Sequence, residues 1–262
     1  MKISLIVTTY NSPSYLEWVL ASVCWQSILP SEVIVADDGS SIETLNLISK
    51  YRGIMKVPLV HSYQPDYGFR LSRSRNLAVS KARGDWIIFL DGDCILPKDF
   101  IESIEGLFDS KSIVFGSRRL LSEPLSQKLL SRFPSYERVH SLFSARKFLK
   151  LPLGILRRIP LRSWKAARGF MFCISRRDLL NSGGFDERFV SWGLEDSDFF
   201  VRALRSRLVL VDSRYKTSVL HLFHPEPNKN KSSENLRQFQ SLLESGNRTL
   251  PIKTVLLSGE CK

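Results

Sequence analysis

Residues 86–93 of the chain read Trp-Ile-Ile-Phe-Leu-Asp-Gly-Asp. Five consecutive apolar residues without polar alternation predict a strand buried on both faces, as in a parallel or mixed sheet flanked by helices. The strand ends at two carboxylates, Asp91 and Asp93, on either side of Gly92, whose missing side chain lets the backbone bend and approach a ligand closely. Open α/β sheets bind their ligands at the carboxyl ends of their strands, so we expect a binding site here.

Asp91 and Asp93 are predicted metal ligands. Two carboxylates separated by one residue suit Mg²⁺ or Mn²⁺, which prefer carboxylate, water and phosphate oxygens. The competing interpretation is a solvated turn, because Asp and Gly are ordinary turn residues. The motifs elsewhere in the chain favour the metal site.

The composition is that of a folded protein. With 262 residues, of which 43% are hydrophobic, the chain can bury a sizeable core. Its apolar stretches are shorter than a membrane span and no signal-peptide pattern follows Met1, so the sequence predicts a cytoplasmic protein. The four cysteines are scattered without a C-x-x-C pair, which indicates reduced thiols and neither a disulfide framework nor a zinc site.

The positive charge is concentrated in one segment. Residues 118–168 contain thirteen Lys and Arg and two Glu, a net +11 of the chain's +12. Leu, Phe and Ile are mixed with these cations, which predicts an insertion of amphipathic basic helices. These helices would bind a polyanion or an anionic membrane surface, namely the inner face of the membrane. An ordinary helical subdomain with a solvated basic face is the competing interpretation. Nucleic acid is disfavoured, because the segment has few aromatics for stacking and the acidic strand ends would repel phosphate.

Strands and helices alternate along the rest of the chain. Strands are predicted at 3–7, 33–36, 57–61, 86–90, 112–117, 169–175, 208–211 and 217–222. Helices are predicted at six places. The first begins near residue 12, the second ends near residue 50, the third covers 70–83, the fourth covers 97–108, the fifth ends near residue 206, and the tail helix covers 234–244. This order is the βαβ pattern of a mostly parallel sheet. The cations Arg70, Arg73 and Arg75 of the third helix are placed to face phosphates.

Several motifs together resemble the inverting glycosyltransferases of family 2, which have the GT-A fold. In the first half they are V-T-T-Y-N at 7–11, A-D-D-G-S at 36–40, G-F-R-L-S-R-S-R-N-L-A at 68–78 and G-D-W-I-I-F-L-D-G-D at 84–93. Residues 168–204, with S-W-G-L-E-D-S-D at 191–198, resemble the C-terminal block of bacterial chondroitin-type polymerases and animal β-1,4-galactosyltransferases. The acidic run of the galactosyltransferases is shortened to Glu-Asp-Ser-Asp in this chain, so the resemblance does not identify the acceptor.

The resemblance implies a set of site residues. The nucleotide-sugar site would contain Thr8, Tyr10, Asn11, Asp38, Arg70, Arg75, Asn76, Asp91 and Gly92. Among these, Asp38 would accept a hydrogen bond from uracil, and Arg75 and Asn76 would contact the diphosphate or hold the metal loop. Asp91 and Asp93 would form the metal motif with His221 or His224, between which the spacing does not choose. At the acceptor side, Asp196 would be the general base, next to Glu195, with Trp192, Gly193 and Phe185 binding the acceptor.

Each of these roles has a structural alternative. Asp38 could cap the following helix, and the histidines could be ordinary strand residues. Glu195 and Asp196 could serve a helix N-terminus electrostatically. Trp192 and Phe185 could pack in the core.

The implied function is transfer of a sugar from a UDP-sugar to a hydroxyl of a glycan or glycolipid, of the cell-surface polysaccharide or lipopolysaccharide type. It would use Mn²⁺ or Mg²⁺ and form a β-glycosidic bond. The chain would divide into a nucleotide-sugar half (1–117), the basic insertion (118–168), an acceptor-binding half (169–225) and a tail (226–262). The alternatives are a nucleotidyltransferase, disfavoured because 8–14 contains no glycine, a nucleic-acid-binding protein, and a non-catalytic sugar-binding protein.

Overall fold

A computed structural model describes residues 1–144, 163–214, 216–225 and 233–246. Its strands are β1 (Ile3–Thr9), β2 (Glu32–Asp37), β3 (Leu59–Tyr63), β4 (Trp86–Asp91), β5 (Cys94–Ile95), β6 (Ser112–Phe115), β7 (Ser117–Leu120), β8 (Met171–Ser175), β9 (Val209–Asp212) and β10 (Ser218–His221). Its helices are α1 (Pro13–Cys24), α2 (Ile42–Arg52), α3 (Leu71–Lys81), α4 (Phe100–Glu105), α5 (Glu123–Leu130), α6 (Tyr136–Ser144), α7 (Arg176–Asn181), α8 (Glu195–Arg205) and α9 (Ser233–Ser245).

Seven strands form the central sheet, in the order β3-β2-β1-β4-β8-β6-β9. The first four are parallel, and β8 runs antiparallel between β4 and β6. Residues of β4 alternate between two cores: Ile88 packs under α1, α2 and α4, whereas Ile87 and Phe89 pack under α3, α7 and α8. The predicted mostly parallel sheet flanked by helices, with its central strand buried on both faces, is confirmed.

A second, three-stranded sheet has the order β5-β10-β7. The sequence predicts one strand over 112–117, and this prediction is wrong: β6 belongs to the large sheet and β7 to the small one. The chain changes sheets at Gly116, where a Cβ atom would lie 1.8 Å from the Met171 side chain. A larger residue at this position would require the end of the Met171 side chain to move.

The described part of the basic segment packs against the small sheet. Leu129 of α5 and Val139 of α6 are buried in one cluster with Trp18 and Leu220. The apolar faces of both helices are therefore covered by protein, and cations such as Arg132 stay exposed. This packing is that of an ordinary helical subdomain; residues 145–162, which the sequence predicts to belong to the insertion of amphipathic basic helices, lie outside the described residues.

The tail helix is confirmed as α9. Its Phe239 packs against Phe189 and Val201, so α9 lies on α8 and the loop before it. Within the described ranges, no helix combines the length and the apolar character that crossing a bilayer requires.

Candidate active site

The carboxyl ends of β1, β2 and β4 meet at one edge of the central sheet. Thr8 lies beside Asp91 in the register of β1 and β4, and its hydroxyl donates to Asp91 Oδ1 at 3.3 Å. A Cβ on Gly92 would lie 2.2 Å from the Thr8 carbonyl oxygen. The close approach predicted for Gly92 is therefore made to the backbone of β1, and it turns the chain sharply from Asp91 to Asp93.

Three side chains meet beyond this turn, which we call the Asp93 cluster: Asp93, His221 and His224. Asp93 Oδ2 lies 3.3 Å from Nε2 of His221 and 3.0 Å from Nε2 of His224. The hydrogen bond to Asp93 raises the pKa of His224 to about 9, whereas burial lowers the pKa of His221. The sequence spacing does not show which histidine lies at the metal motif, and in the structure both contact Asp93. A carboxylate that contacts two imidazoles through their Nε2 atoms offers ligands of the type that divalent cations bind.

Cys94, which the sequence predicts only to be a reduced thiol, is a neighbour of this cluster. Its sulfur lies with ligand atoms of Asp93 and His221 within 4.8 Å of one another, and its thiol donates to Asp93 Oδ1. Burial raises the pKa of this thiol well above its usual value. Cys94 is completely buried, and its thiol supports Asp93 through this hydrogen bond.

The histidine segment is held by two hydroxyl groups, also missed from the sequence. Tyr15 of α1 donates its hydroxyl to the Phe223 carbonyl at 2.9 Å, and the Phe223 N–H donates to Ser126 Oγ of α5 at 2.8 Å. The residue before His224 is thereby fixed on both sides. No local pattern signals this, because Tyr15 and Ser126 lie 208 and 97 residues from Phe223.

Arg75 joins the metal side of the site to the acceptor side. Its guanidinium donates to Asp196 Oδ1 at 2.6 Å and to Asp91 Oδ1 at 3.4 Å, and its side chain is 1% exposed. Arg75 is predicted either to contact the diphosphate or to hold the metal loop, and this geometry matches the second role. Burial raises the pKa of Asp91 to about 7 against the opposing effect of Arg75; a bound divalent cation would lower that pKa by favouring the carboxylate.

Asn76 and Phe185 do not have their predicted roles. The Asn76 amide donates to the Phe185 carbonyl and to Glu187 and accepts from the Phe185 N–H, all within 3.0 Å. Asn76 is completely buried and therefore anchors this loop instead of contacting a diphosphate. Phe185 is also completely buried, with its ring centroid 5.2 Å from that of Phe89. Core packing, the alternative for Phe185, is what the structure shows.

The predicted nucleotide pocket lies between the ends of β1 and β2 and the start of α3. Asp38 Oδ2 accepts from the Arg70 N–H at 2.8 Å, and Oδ1 accepts from the Gln64 amide. Asp38 therefore does not cap α2; it fixes the loop before α3. Tyr10 is half-exposed and donates its hydroxyl to Asp66 at 2.9 Å.

Asn11 joins the same pocket to the A-D-D-G-S turn. Its backbone N–H donates to Ser40 Oγ at 2.9 Å, and its side-chain oxygen accepts from the Ser41 N–H at 2.8 Å. Asn11 has a φ of 44°, a left-handed conformation that Asn tolerates better than most residues. Its observed role is to shape the turn.

The predicted acceptor side is built at the start of α8. Gly193 and Leu194 have φ angles of 99° and 78°, and these two left-handed residues aim the first turn of α8 into the cleft. Trp192 is 38% exposed, in contrast to the buried Phe185. The acidic pair follows: Glu195 is 5% exposed, and the Asp196 side chain is 26% exposed.

The loop before α8 is also held from the tail. Asn235 of α9 donates its amide to the carbonyls of Ser191 and Gly193, each at 2.9 Å. Asn235 is completely buried, so the tail helix helps to fix the loop that carries Trp192.

Comparison with known proteins agrees with this geometry. The model of glycosyl transferase family 2 matches residues 4–170. The chain belongs to glycosyl transferase family 2. A second model, described as the N-terminal domain of galactosyltransferase, matches residues 158–225 of this family 2 chain and so covers the acidic pair and both histidines. The two resemblances expected from the motifs are confirmed.

Relatives and solved structures extend the likeness. Chondroitin synthase of Escherichia coli is 27% identical over 78% of this family 2 chain and 32% of its own length, so the chain spans about a third of that relative. TarS 1-349 of Staphylococcus aureus in complex with UDP superposes with a TM-score of 0.62 at 20% identity, over 93% of this chain and 64% of that one. The mannosyltransferase PcManGT of Pyrobaculum calidifontis, in complex with GDP-Man and Mn²⁺, gives 0.57 at 18% identity, over 92% and 62%. The predicted GT-A fold is confirmed.

Glu195 should make this family 2 chain less stable as the pH rises. Burial and then the charge of Asp196 raise its pKa from 4.5 to about 7. Between pH 4.5 and about 7 the folded protein keeps the Glu195 proton that the unfolded chain releases. The stability that this proton gives the folded state is fully present below pH 4.5 and is lost as the pH rises through about 7. We expect Glu195→Gln to be more stable than wild type by about 1–3 kcal/mol at pH 8, and by less at pH 5. Urea unfolding in EDTA measures this, and an equal difference at both pH values would contradict it.

Proposed function

We propose that the chain is an inverting glycosyltransferase that moves a sugar from a UDP-sugar to a hydroxyl of a glycan or glycolipid, forming a β-glycosidic bond. The observation that carries this proposal is the pair of acidic centres that Arg75 joins. Asp91 leads to the Asp93 cluster on one side, and Asp196 lies on the other. The complex of TarS with UDP and the family 2 membership support a uridine nucleotide as the donor.

The Asp93 cluster would hold the divalent cation, with Asp91 beside it. Two imidazoles and one carboxylate favour Mn²⁺ over Mg²⁺, because Mg²⁺ prefers oxygen ligands. When bound, such an ion neutralises the charge that builds on the departing diphosphate. The Mn²⁺ complex of the Pyrobaculum mannosyltransferase supports this choice.

Asp196 would accept the proton of the acceptor hydroxyl. Arg75 holds its Oδ1, and the carboxylate lies against Gly169, so the side chain keeps one orientation at the edge of the cleft. A fixed carboxylate within reach of the hydroxyl is what general base catalysis requires. Attack opposite the departing diphosphate is a single displacement, which inverts a UDP-α-sugar to a β-glycoside. Trp192 would offer its exposed ring face to the acceptor sugar, beside Gly193.

Gly169 should be required because it makes room for Asp196. A Cβ at Gly169 would lie 1.6 Å from Asp196 Oδ2. We expect Gly169→Ala to displace this carboxylate and to lower kcat by up to about a hundredfold, with little change in UDP affinity. Gly106→Ala is the matched control, because a Cβ there meets nothing within 4 Å. Equal kcat values for the two variants, measured by UDP release, would contradict this role.

The proposed reaction is tested by UDP release from UDP-Glc, UDP-Gal, UDP-GlcNAc, UDP-GalNAc and UDP-GlcA, each with Mn²⁺ and with EDTA. With glycan acceptors added, we expect one donor to release UDP with Mn²⁺ only, and NMR of the glycosylated acceptor to show a β-linkage. Absence of release from every donor, together with absence of UDP binding, would overturn the proposal. An α-linked product would overturn the inverting mechanism alone.

The basic segment would bring the enzyme to an anionic acceptor or membrane. Its described cations are exposed, apart from the half-buried Arg119, while the apolar faces of α5 and α6 are buried, so the attraction would be electrostatic and not by insertion of these two helices. Flotation with anionic liposomes, compared with neutral ones, tests this proposal. We expect the protein to float with anionic liposomes and to dissociate from them in roughly 0.5 M salt, which screens the charges. Equal flotation with neutral liposomes would contradict the proposal.

A further inference from the structure

The first strand of the basic segment, β7, forms one side of the proposed donor site. It pairs with β10 so that Arg118 lies beside Val219 and Leu120 lies beside His221. Directly paired residues lie on the same face of a sheet, and alternate residues of a strand share a face. Arg118 therefore lies on the face that carries His221, and this face meets Asp93.

Arg118 reaches from β7 towards the end of β4. Its guanidinium carbon lies 4.9 Å from the centroid of the Phe170 ring. Phe170 is nearly buried, and its carbonyl accepts the backbone N–H of Asp91 at 2.9 Å. The aromatic ring thus supports a cation between the Asp93 cluster and the strand end that carries Asp91.

Arg118 is a cation on the face that carries His221, and it stacks on Phe170 beside the strand end that carries Asp91. It therefore lies near the site that is proposed to bind a divalent ion, where it would repel that ion unless an anion lies between them.

The cations that the sequence places towards phosphate already have protein partners. Arg70 donates to the Pro65 carbonyl, and Arg73 donates to Gln64. Arg75 is buried between Asp91 and Asp196. A donor diphosphate therefore needs another cation, because its charge is only partly neutralised by one divalent ion.

Arg118 is exposed and, in the part of the chain that the structure describes, has no carboxylate partner and no hydrogen bond. Its neighbour Arg119 lies on the opposite face and donates to the Leu142 carbonyl. We propose that Arg118 binds the diphosphate of the nucleotide-sugar donor, so that the basic segment supplies a residue of the donor site. A guanidinium presents paired N–H donors that match phosphate oxygens. This inference rests on the proposed function.

Calorimetric titration of UDP in the presence of Mn²⁺ tests this inference with three variants. Arg118→Gln should weaken UDP binding about tenfold or more, since it removes a charged hydrogen-bond donor. Arg118→Lys should restore part of the affinity, because it keeps the charge without the paired donors. Arg132→Gln removes the same charge from an exposed position of the same segment and should change the affinity less than about twofold, as a screened surface charge does.

A titration of Mn²⁺ alone, followed by EPR, distinguishes a phosphate contact from damage to the Asp93 cluster. Arg118→Gln should bind Mn²⁺ at least as tightly as wild type, because a repelling cation has been removed. Unchanged UDP affinity in Arg118→Gln, or an equal loss of Mn²⁺ and UDP binding, would overturn this inference alone. A wild-type protein that binds no UDP would overturn the proposed function and this inference with it.

Discussion

Asp196→Asn is expected to abolish turnover and to leave nucleotide binding intact. Asparagine keeps an oxygen that can accept the Arg75 hydrogen bond, now 2.6 Å long, so the shape of the site is preserved. The amide cannot take a proton from the acceptor hydroxyl at neutral pH. Loss of a general base costs about a hundredfold to ten-thousandfold in rate, and we expect kcat to fall within or beyond that range.

UDP release gives the rate, and calorimetric titration of UDP with Mn²⁺ gives the affinity. Asp212→Asn is a suitable control, because Asp212 pairs with the exposed Arg214 at the surface. We expect that variant to keep wild-type kcat. An Asp196→Asn enzyme that retains a tenth or more of wild-type kcat would exclude Asp196 as the base.

Asp93→Ala is expected to remove Mn²⁺ binding and, with it, the tight binding of UDP. Among the described residues, Asp93 is the one carboxylate that both His221 and His224 contact, so its loss removes a ligand and also the group that holds the two rings together. Changes to residues that only support ligands cost about tenfold to a hundredfold in metal affinity. We expect the loss of a ligand to exceed about a hundredfold.

EPR titration of Mn²⁺ measures the metal affinity directly, and the UDP titration shows whether nucleotide binding falls with it. Asp85→Ala is the matched control, because Asp85 is an exposed carboxylate just before the other end of β4. That variant should bind both ligands as wild type does. Wild-type Mn²⁺ affinity in Asp93→Ala would place the metal elsewhere.

The part of the site that the sequence could predict follows from strand ends. The run 86–90 is apolar without alternation, so it had to be buried on both faces, and its carboxylates had to emerge at the sheet edge. Thr8 near the end of β1 and Asp38 just after β2 follow the same rule. These predictions need only the chain order and the parallel pairing of strands, which local patterns supply.

The contacts that join distant parts of the chain could not be predicted. Arg75 and Asp196 are 121 residues apart, and nothing in either motif shows that one guanidinium serves both acidic centres. Asn76 and Phe185, 109 residues apart, lie in motifs that imply binding roles, yet the Asn76 amide bonds the Phe185 backbone and the Phe185 ring packs against Phe89. A motif fixes where a residue is in the chain, but burial decides whether its side chain faces the cleft.

The division of residues 112–117 between two sheets has a similar cause. Residues 112–117 form one strand-like run in the sequence, and the break appears only in the pairing, which changes from β8 and β9 to β10 across Gly116. This change sets β7 beside β10 and so brings Arg118 to the His221 face. The sequence predicts the basic segment to be a helical insertion, because no local pattern distinguishes its first strand, β7, from β6.

The central claim is that the strand ends around the Asp93 cluster form a metal-dependent uridine nucleotide site. Calorimetric titration of UDP into the protein, once with Mn²⁺ and once with EDTA, tests it most directly. We expect UDP to bind with Mn²⁺ and to lose most of that affinity in EDTA. Equal binding of UDP under both conditions, or none under either, would contradict this account of the site.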